Sequence, residues 1–66
     1  MKLTVNGEPR EAPAGATVAQ VIATVTGQRS GVAAALNGEI VPRHAWPTTA
    51  LQADDRVEVV TAVQGG

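Results

Sequence analysis

The chain contains no cysteine. That absence excludes a disulfide framework and any thiolate metal site, and it suits a reducing compartment. Long hydrophobic runs are missing as well: the longest purely apolar stretch is Val32 to Leu36, against the roughly 20 residues a membrane helix needs. Residues 1–8 turn polar too soon for a signal peptide. A cytoplasmic location is therefore expected. Five basic side chains face six acidic ones, a net charge of −1 with no basic cluster, which argues against binding nucleic acid by phosphate neutralisation. There is no G-x-x-x-x-G-K-[ST] phosphate loop and no G-x-G-x-x-G fingerprint.

Catalytic groups are equally scarce. With one serine and one histidine, a nucleophile–base pair would have to join Ser30 to His44. They fall in different loops of a domain too small to enclose a substrate pocket, and a solvent-facing His44 is the stronger reading. Asp54-Asp55 could be a carboxylate pair for metal or acid–base work, but adjacent aspartates before a strand suit a turn better. No catalytic residue, metal ligand or stably bound cofactor is expected.

What is present is a set of clear periods. Met1, Leu3 and Val5 alternate with Lys2 and Thr4, the pattern of a half-buried strand. Asn6-Gly7 then signals a tight hairpin. A return strand over residues 8–13 contains Pro9 and Pro13, which confine it to a sheet edge. Val18, Val21, Ile22 and Val25 recur at helical spacing, with Thr17 as N-cap and Gly27 as a left-handed stop. Val32 to Leu36 reads as a short buried strand, Asn37-Gly38 as a second hairpin turn, and Glu39 to Val41 as its partner strand, ended by Pro42. Residues 42–55 read as irregular, with room for one helical turn before Pro47. Residues 56–63 alternate again: Val57, Val59, Thr61 and Val63 on one face, Arg56, Glu58, Val60 and Ala62 on the other.

Two strands, one helix and three short strands in 66 residues imply an α+β domain, a mixed sheet of four to five strands wrapped over one helix. This is the β-grasp, or ubiquitin-like, arrangement. The expected division is a domain over residues 1–62 and a flexible tail over 63–66. Leu3, Val5, Val21, Ile22, Val25, Leu36, Val57 and Val59 are the expected core, on matched strand and helix periods. A chain this short buries only about 60% of its unfolded surface, so modest stability is expected.

The tail is the one place left for chemistry. Extended, four residues reach roughly 13 Å. Gly65 and Gly66 carry no Cβ, so such a tail can pass a narrow channel in another protein. A carboxylate on Gly66 is anionic at neutral pH and a poor electrophile, but it is also the least hindered target for activation by ATP. On the other side of the last strand, Val60 and Ala62 stand where polar residues are expected and form a candidate partner patch, with Trp46 and Arg43 as further candidates. Ordinary sheet surface is the competing reading of Val60 and Ala62, and a cap on the core that of Trp46.

The segments "GVAAALNGEIVPRHAW" and "DRVEVVTAVQGG" resemble the ThiS family, the sulfur carriers of thiamine biosynthesis, over essentially the whole chain. Asn37-Gly38, Ile40-Val41-Pro42-Arg43 and Trp46 are similar to the family's N-G-x-[IV]-V-P-R-x-x-W segment. Asp55, Val57 and Glu58 and the closing Val63-Gln64-Gly65-Gly66 resemble its last strand and tail. One departure is Asp54, where the family usually has glycine, which leaves the turn geometry open. The resemblance implies a protein co-substrate rather than an enzyme. A ThiF-like adenylating enzyme would use ATP and magnesium to form an acyl-adenylate on Gly66, with Val63, Gln64 and Gly65 recognised as the tail. Sulfur from a cysteine desulfurase persulfide would replace AMP to leave a thiocarboxylate, and a ThiG-like thiazole synthase would accept that sulfur. The rival readings are a TGS-like binding module, which shares the G-A-T-V helix entry, the small subunit of molybdopterin synthase, and a ubiquitin-like modifier.

Overall fold

The computed structural model describes residues 1–28 and 30–62, so the tail expected over 63–66 lies outside the described residues. The chain order is β1 (Lys2–Val5), β2 (Glu8–Glu11), α1 (Val18–Val25), β3 (Val32–Leu36), β4 (Glu39–Val41), a 3-10 helix (Arg43–Thr48) and β5 (Arg56–Thr61). The five strands form one sheet in the order β2-β1-β5-β3-β4. β1 and β5 run parallel at its centre, and the outer pairings are antiparallel. This is the expected β-grasp arrangement.

Both hairpins turn on Asn-Gly with positive φ at each central residue, 51° and 81° at Asn6-Gly7 and 51° and 88° at Asn37-Gly38. Such turns match the right-handed twist of the strands they join. They also set register: Val5 pairs with Glu8 and Leu36 with Glu39, directly across each turn. Thr17 caps α1 as expected, and Gln20 adds the return arm of a capping box. The Thr17 amide donates to Gln20 Oε1 at 2.8 Å, and the Gln20 amide donates to Thr17 Oγ1 at 3.4 Å.

Leu3 and Val5 of β1, Val21 and Ile22 of α1, and Val57 and Val59 of β5 are buried together, as their periods require. Val18, Ala34, Trp46 and Leu51 complete that cluster. Leu3, Val18 and Val57 are the most completely enclosed; burying each such side chain stabilises by roughly 1.5–3 kcal/mol.

The structure corrects several local expectations. Val25 and Leu36 are half-buried and pack against the core from its margin, because one ends α1 and the other adjoins the Asn37-Gly38 turn. β3 is not a buried strand: only Ala34 is fully enclosed, since one face of the sheet is left open. Thr61 follows Val57 and Val59 in the alternation of β5 but is exposed, at the end of the strand. β2 stops at Glu11, short of Pro13, and Pro9 occupies an edge, where no ladder donor is missed.

Gly27 is not left-handed. Thr26 already leaves the helix in an extended conformation, φ −150°, while its amide donates to the Ile22 carbonyl. Finally, helical backbone continues through Pro47 in 3-10 form. Over so short a run proline costs one donor, and the Thr48 and Thr49 hydroxyls cover the end by donating to the Ala45 carbonyl at 3.3 and 2.6 Å.

Candidate functional site

The helix-facing side of β5 carries Val57 and Val59, and the opposite side carries Arg56, Glu58 and Val60. Among the described residues no helix covers that second face, and its composition is divided. β1 and β2 contribute Lys2, Thr4, Pro9 and Glu11, a polar half; β3, β4 and the end of β5 contribute Ala33, Ala35, Ile40 and Val60, an apolar half. Cross-strand pairing puts Ile40 beside Ala35 and Val60 beside Ala33. Ile40 is 74% exposed and Val60 64%. They line a shallow depression with Ala33, Ala35 and Glu58. These two large aliphatic side chains stand in water on the strands either side of β3, which makes this part of the face the candidate interaction surface.

Of the residues expected at a partner patch, Val60 and Ala62 are exposed. The Ala62 amide donates to the Gly31 carbonyl at 2.7 Å, and its own carbonyl accepts from Gln28 Nε2 at 3.3 Å. The last described residue before the tail is thus held to the body of the domain.

Trp46 does not belong to this patch. It is buried in the core on the helix side, and its indole Nε1 donates to the Val41 carbonyl at 2.9 Å. A tryptophan whose ring is packed and whose N–H is satisfied serves the fold. Arg43 is exposed and places its guanidinium 5.4 Å from the centre of that ring, a cation–π contact that ties it to Trp46 rather than to Val60.

Ile40, Ala33 and Ala35 were missed as patch residues. The signal was available. A two-residue Asn-Gly turn makes residues equidistant from it partners, so Ile40 had to share a face with Ala35.

The other polar candidates are occupied by turns. Asp55 Oδ1 accepts from Asn37 Nδ2 at 3.1 Å and Asp55 Oδ2 from the Gln52 amide at 2.8 Å. Asp54 adopts φ 71° and donates its amide to the Lys2 carbonyl at 2.7 Å. The aspartate therefore takes the left-handed conformation that glycine would supply, which answers the question its presence raised. His44 is exposed on the 3-10 helix, and Ser30 is exposed in the loop before β3. Among the described residues, no three carboxylate or imidazole groups are placed to hold a metal ion.

The ThiS family model matches residues 3–66. The chain belongs to the ThiS family. The sulfur carrier protein ThiS of Escherichia coli K12 is 29% identical over 66 residues, covering all of both chains. A thiazole synthase of Magnetococcus marinus is 36% identical over 66 residues, covering all of this chain and 20% of that protein. This chain therefore spans about a fifth of the thiazole synthase relatives it matches. The crystal structure of the thiamine biosynthesis protein ThiS from Geobacter metallireducens superposes with a TM-score of 0.82 at 32% identity, with full coverage of both chains. That likeness, with the five-stranded mixed sheet over one helix, identifies the β-grasp fold of the family.

Proposed function

We infer that the chain is a sulfur carrier of thiamine biosynthesis, a protein co-substrate, and that the C-terminal carboxylate of Gly66 is the group that carries sulfur. The observation that carries this reading is the family match, which continues to residue 66 and so includes the glycine pair. The described domain offers a scaffold and a surface, with its titratable side chains either in turns or exposed.

In this reading a ThiF-like adenylating enzyme binds the domain and uses ATP as its own substrate with magnesium as its cofactor. A Gly66 carboxylate oxygen attacks the α-phosphorus, pyrophosphate leaves, and the acyl-adenylate forms. The outer sulfur of a persulfide raised by a cysteine desulfurase then attacks the acyl carbon and expels AMP. A second thiol then attacks the desulfurase cysteine sulfur of that acyl disulfide, so the thiocarboxylate departs on Gly66 and the thiol and the cysteine end as a disulfide. A thiazole synthase accepts that sulfur, a partner supported by the relatives that bear the name. Val63, Gln64 and Gly65 are the segment threaded into each partner. The apolar half of the open face, Val60 and Ile40 with Ala33, Ala35 and Ala62, is the docking surface for the adenylating enzyme, in the cytoplasm. Docking through the domain delivers an anchored soft nucleophile, so free sulfide is not released.

The test is incubation with a ThiF-like enzyme, ATP, magnesium and a persulfide donor. The expected result is a mass gain of one oxygen-to-sulfur exchange, mapped to Gly66. Absence of the exchange, or its location on any other residue, overturns the reading. A single alanine added after Gly66 is expected to abolish conversion, because its Cβ crowds a channel shaped for glycine.

A further inference from the structure

The central strand β5 is longer than its parallel neighbour. β1 pairs with β5 only at Thr4↔Arg56 and Val5↔Val57, whereas β3 follows β5 as far as Thr61. Backbone groups of a strand point alternately to its two sides. The Asn37 amide donates to the Arg56 carbonyl and the Ala62 amide to the Gly31 carbonyl, so Arg56, Glu58, Val60 and Ala62 serve the β3 side. Val57, Val59 and Thr61 serve the β1 side. There the Asn6 amide donates to the Val57 carbonyl at 2.9 Å, and the Asn6 side chain then stands in for a strand, its Oδ1 accepting from the Val59 amide at 2.8 Å.

Beyond that rung the β1 side is open. Among the described residues, the Val59 carbonyl and the Thr61 amide and carbonyl face no backbone partner there. The two outer edges of the sheet are guarded differently. β2 carries a proline and is wholly exposed, and β4 has three residues with Trp46 bonded to its last carbonyl.

We propose that the free edge of β5 at Val59 and Thr61 is a strand-addition site, filled by an extended backbone segment of the adenylating partner. The proposal rests on the sulfur-carrier reading above. Its reason is chemical: two of the four residues that follow Ala62 are glycines, so the tail offers few side chains to recognise, and a partner must read its amides and carbonyls. Main-chain pairing is the interaction that does this. β5 leads straight into those residues and presents the first rungs of such a ladder already in extended form. Ladder bonds made there align the strand before the glycines enter the partner's site.

The experiment compares three chains, wild type, Thr61→Pro and Val60→Pro, with a ThiF-like enzyme, by amide hydrogen exchange and by the rate of thiocarboxylate formation. Proline at 61 removes a donor on the open side only, so Thr61→Pro is expected to keep its thermal unfolding temperature within a few degrees while kcat/KM falls at least tenfold. Proline at 60 removes a β3 ladder bond and is expected to lower the unfolding temperature. In the wild-type complex the Thr61 amide is expected to gain at least tenfold protection. The hydrogen-exchange arm needs binding only, so it reads the edge apart from the chemistry. Thr61→Pro converted at the wild-type rate, or a Thr61 amide that exchanges equally fast free and bound, overturns the strand-addition site while leaving the carrier reading standing. Wild type that binds but is never converted overturns the carrier reading instead. If Thr61→Pro unfolds, an ester in place of the Thr61 amide removes the same donor without the ring, and its unchanged conversion rate equally overturns the site.

Discussion

Val57 and Val60 are the same residue on the same strand three positions apart, and they live in different solvents. Val57 is 1% exposed beneath α1, and Val60 is 64% exposed on the open face. The helix-facing side is filled by aliphatic groups from β1, β3, β5 and α1 and by Trp46 of the 3-10 helix, where any lost methyl leaves a void. The open side holds Val60 and Ile40 over two alanines, where the same methyl is in contact with water. One side of the sheet stores stability, and the other leaves apolar surface in water. The difference teaches that hydrophobicity at a strand position has no meaning until its face is known.

The comparison can be broken by mutation, and the largest effect is expected at Trp46. Trp46→Ala should destabilise the domain by about 3–5 kcal/mol, the range for truncating a buried aromatic residue, measured by chemical denaturation. A loss under 1 kcal/mol with impaired partner binding would move Trp46 from the core to the docking surface. The paired test follows. Val57→Ala should cost about 2 kcal/mol, from two buried methyl-sized groups at roughly 0.8 kcal/mol each and the cavity left behind. Val60→Ala should stay within about 0.5 kcal/mol of wild type, as surface changes do. Equal costs at the two positions would mean that the faces are not distinct.

Val60→Glu and Ile40→Glu sharpen the same contrast through binding. Each should leave the unfolding midpoint nearly unchanged and weaken affinity for the adenylating enzyme by about tenfold, corresponding to about 1.4 kcal/mol. Titration calorimetry reads this directly, and unchanged affinity in both variants removes the patch. The smallest effect is expected at the turn before β5. Asp54→Gly places the residue best suited to φ 71°, and relief of backbone strain opposes the larger entropy of an unfolded glycine. The net should be a stabilisation of at most about 0.5 kcal/mol. A large destabilisation would show that the Asp54 side chain, and not its backbone, holds the turn.

Much of this was legible in order of residues alone. The Asn-Gly pairs, the valines of α1 and the alternation in β5 each report a local period or a local φ, and each element formed where its pattern stands. The reading failed where a residue's state depends on a neighbour distant in sequence. Trp46 could be core or surface until Val41 supplied an acceptor for its indole. Ile40 lay unnoticed until β4 was laid against β3. Pro47 marked a helix end on local rules, yet the 3-10 helix continues through it, anchored by Trp46.

By itself the sequence determined the kinds of elements, their order and the turn chemistry, because helix and strand periods and positive-φ positions are properties of a few adjacent residues. It also determined the family, through the V-P-R-x-x-W segment and the glycine pair. Tertiary structure alone decided which strand face is covered, and so which of Val57 and Val60 is core. It alone decided that β5 outruns β1 and that the Asn6 side chain finishes their ladder. These depend on register between strands some 50 residues apart, Asn6 and Val59 being separated by 53 positions, and the hydrogen bonds that set such register exist only once the chain has closed on itself.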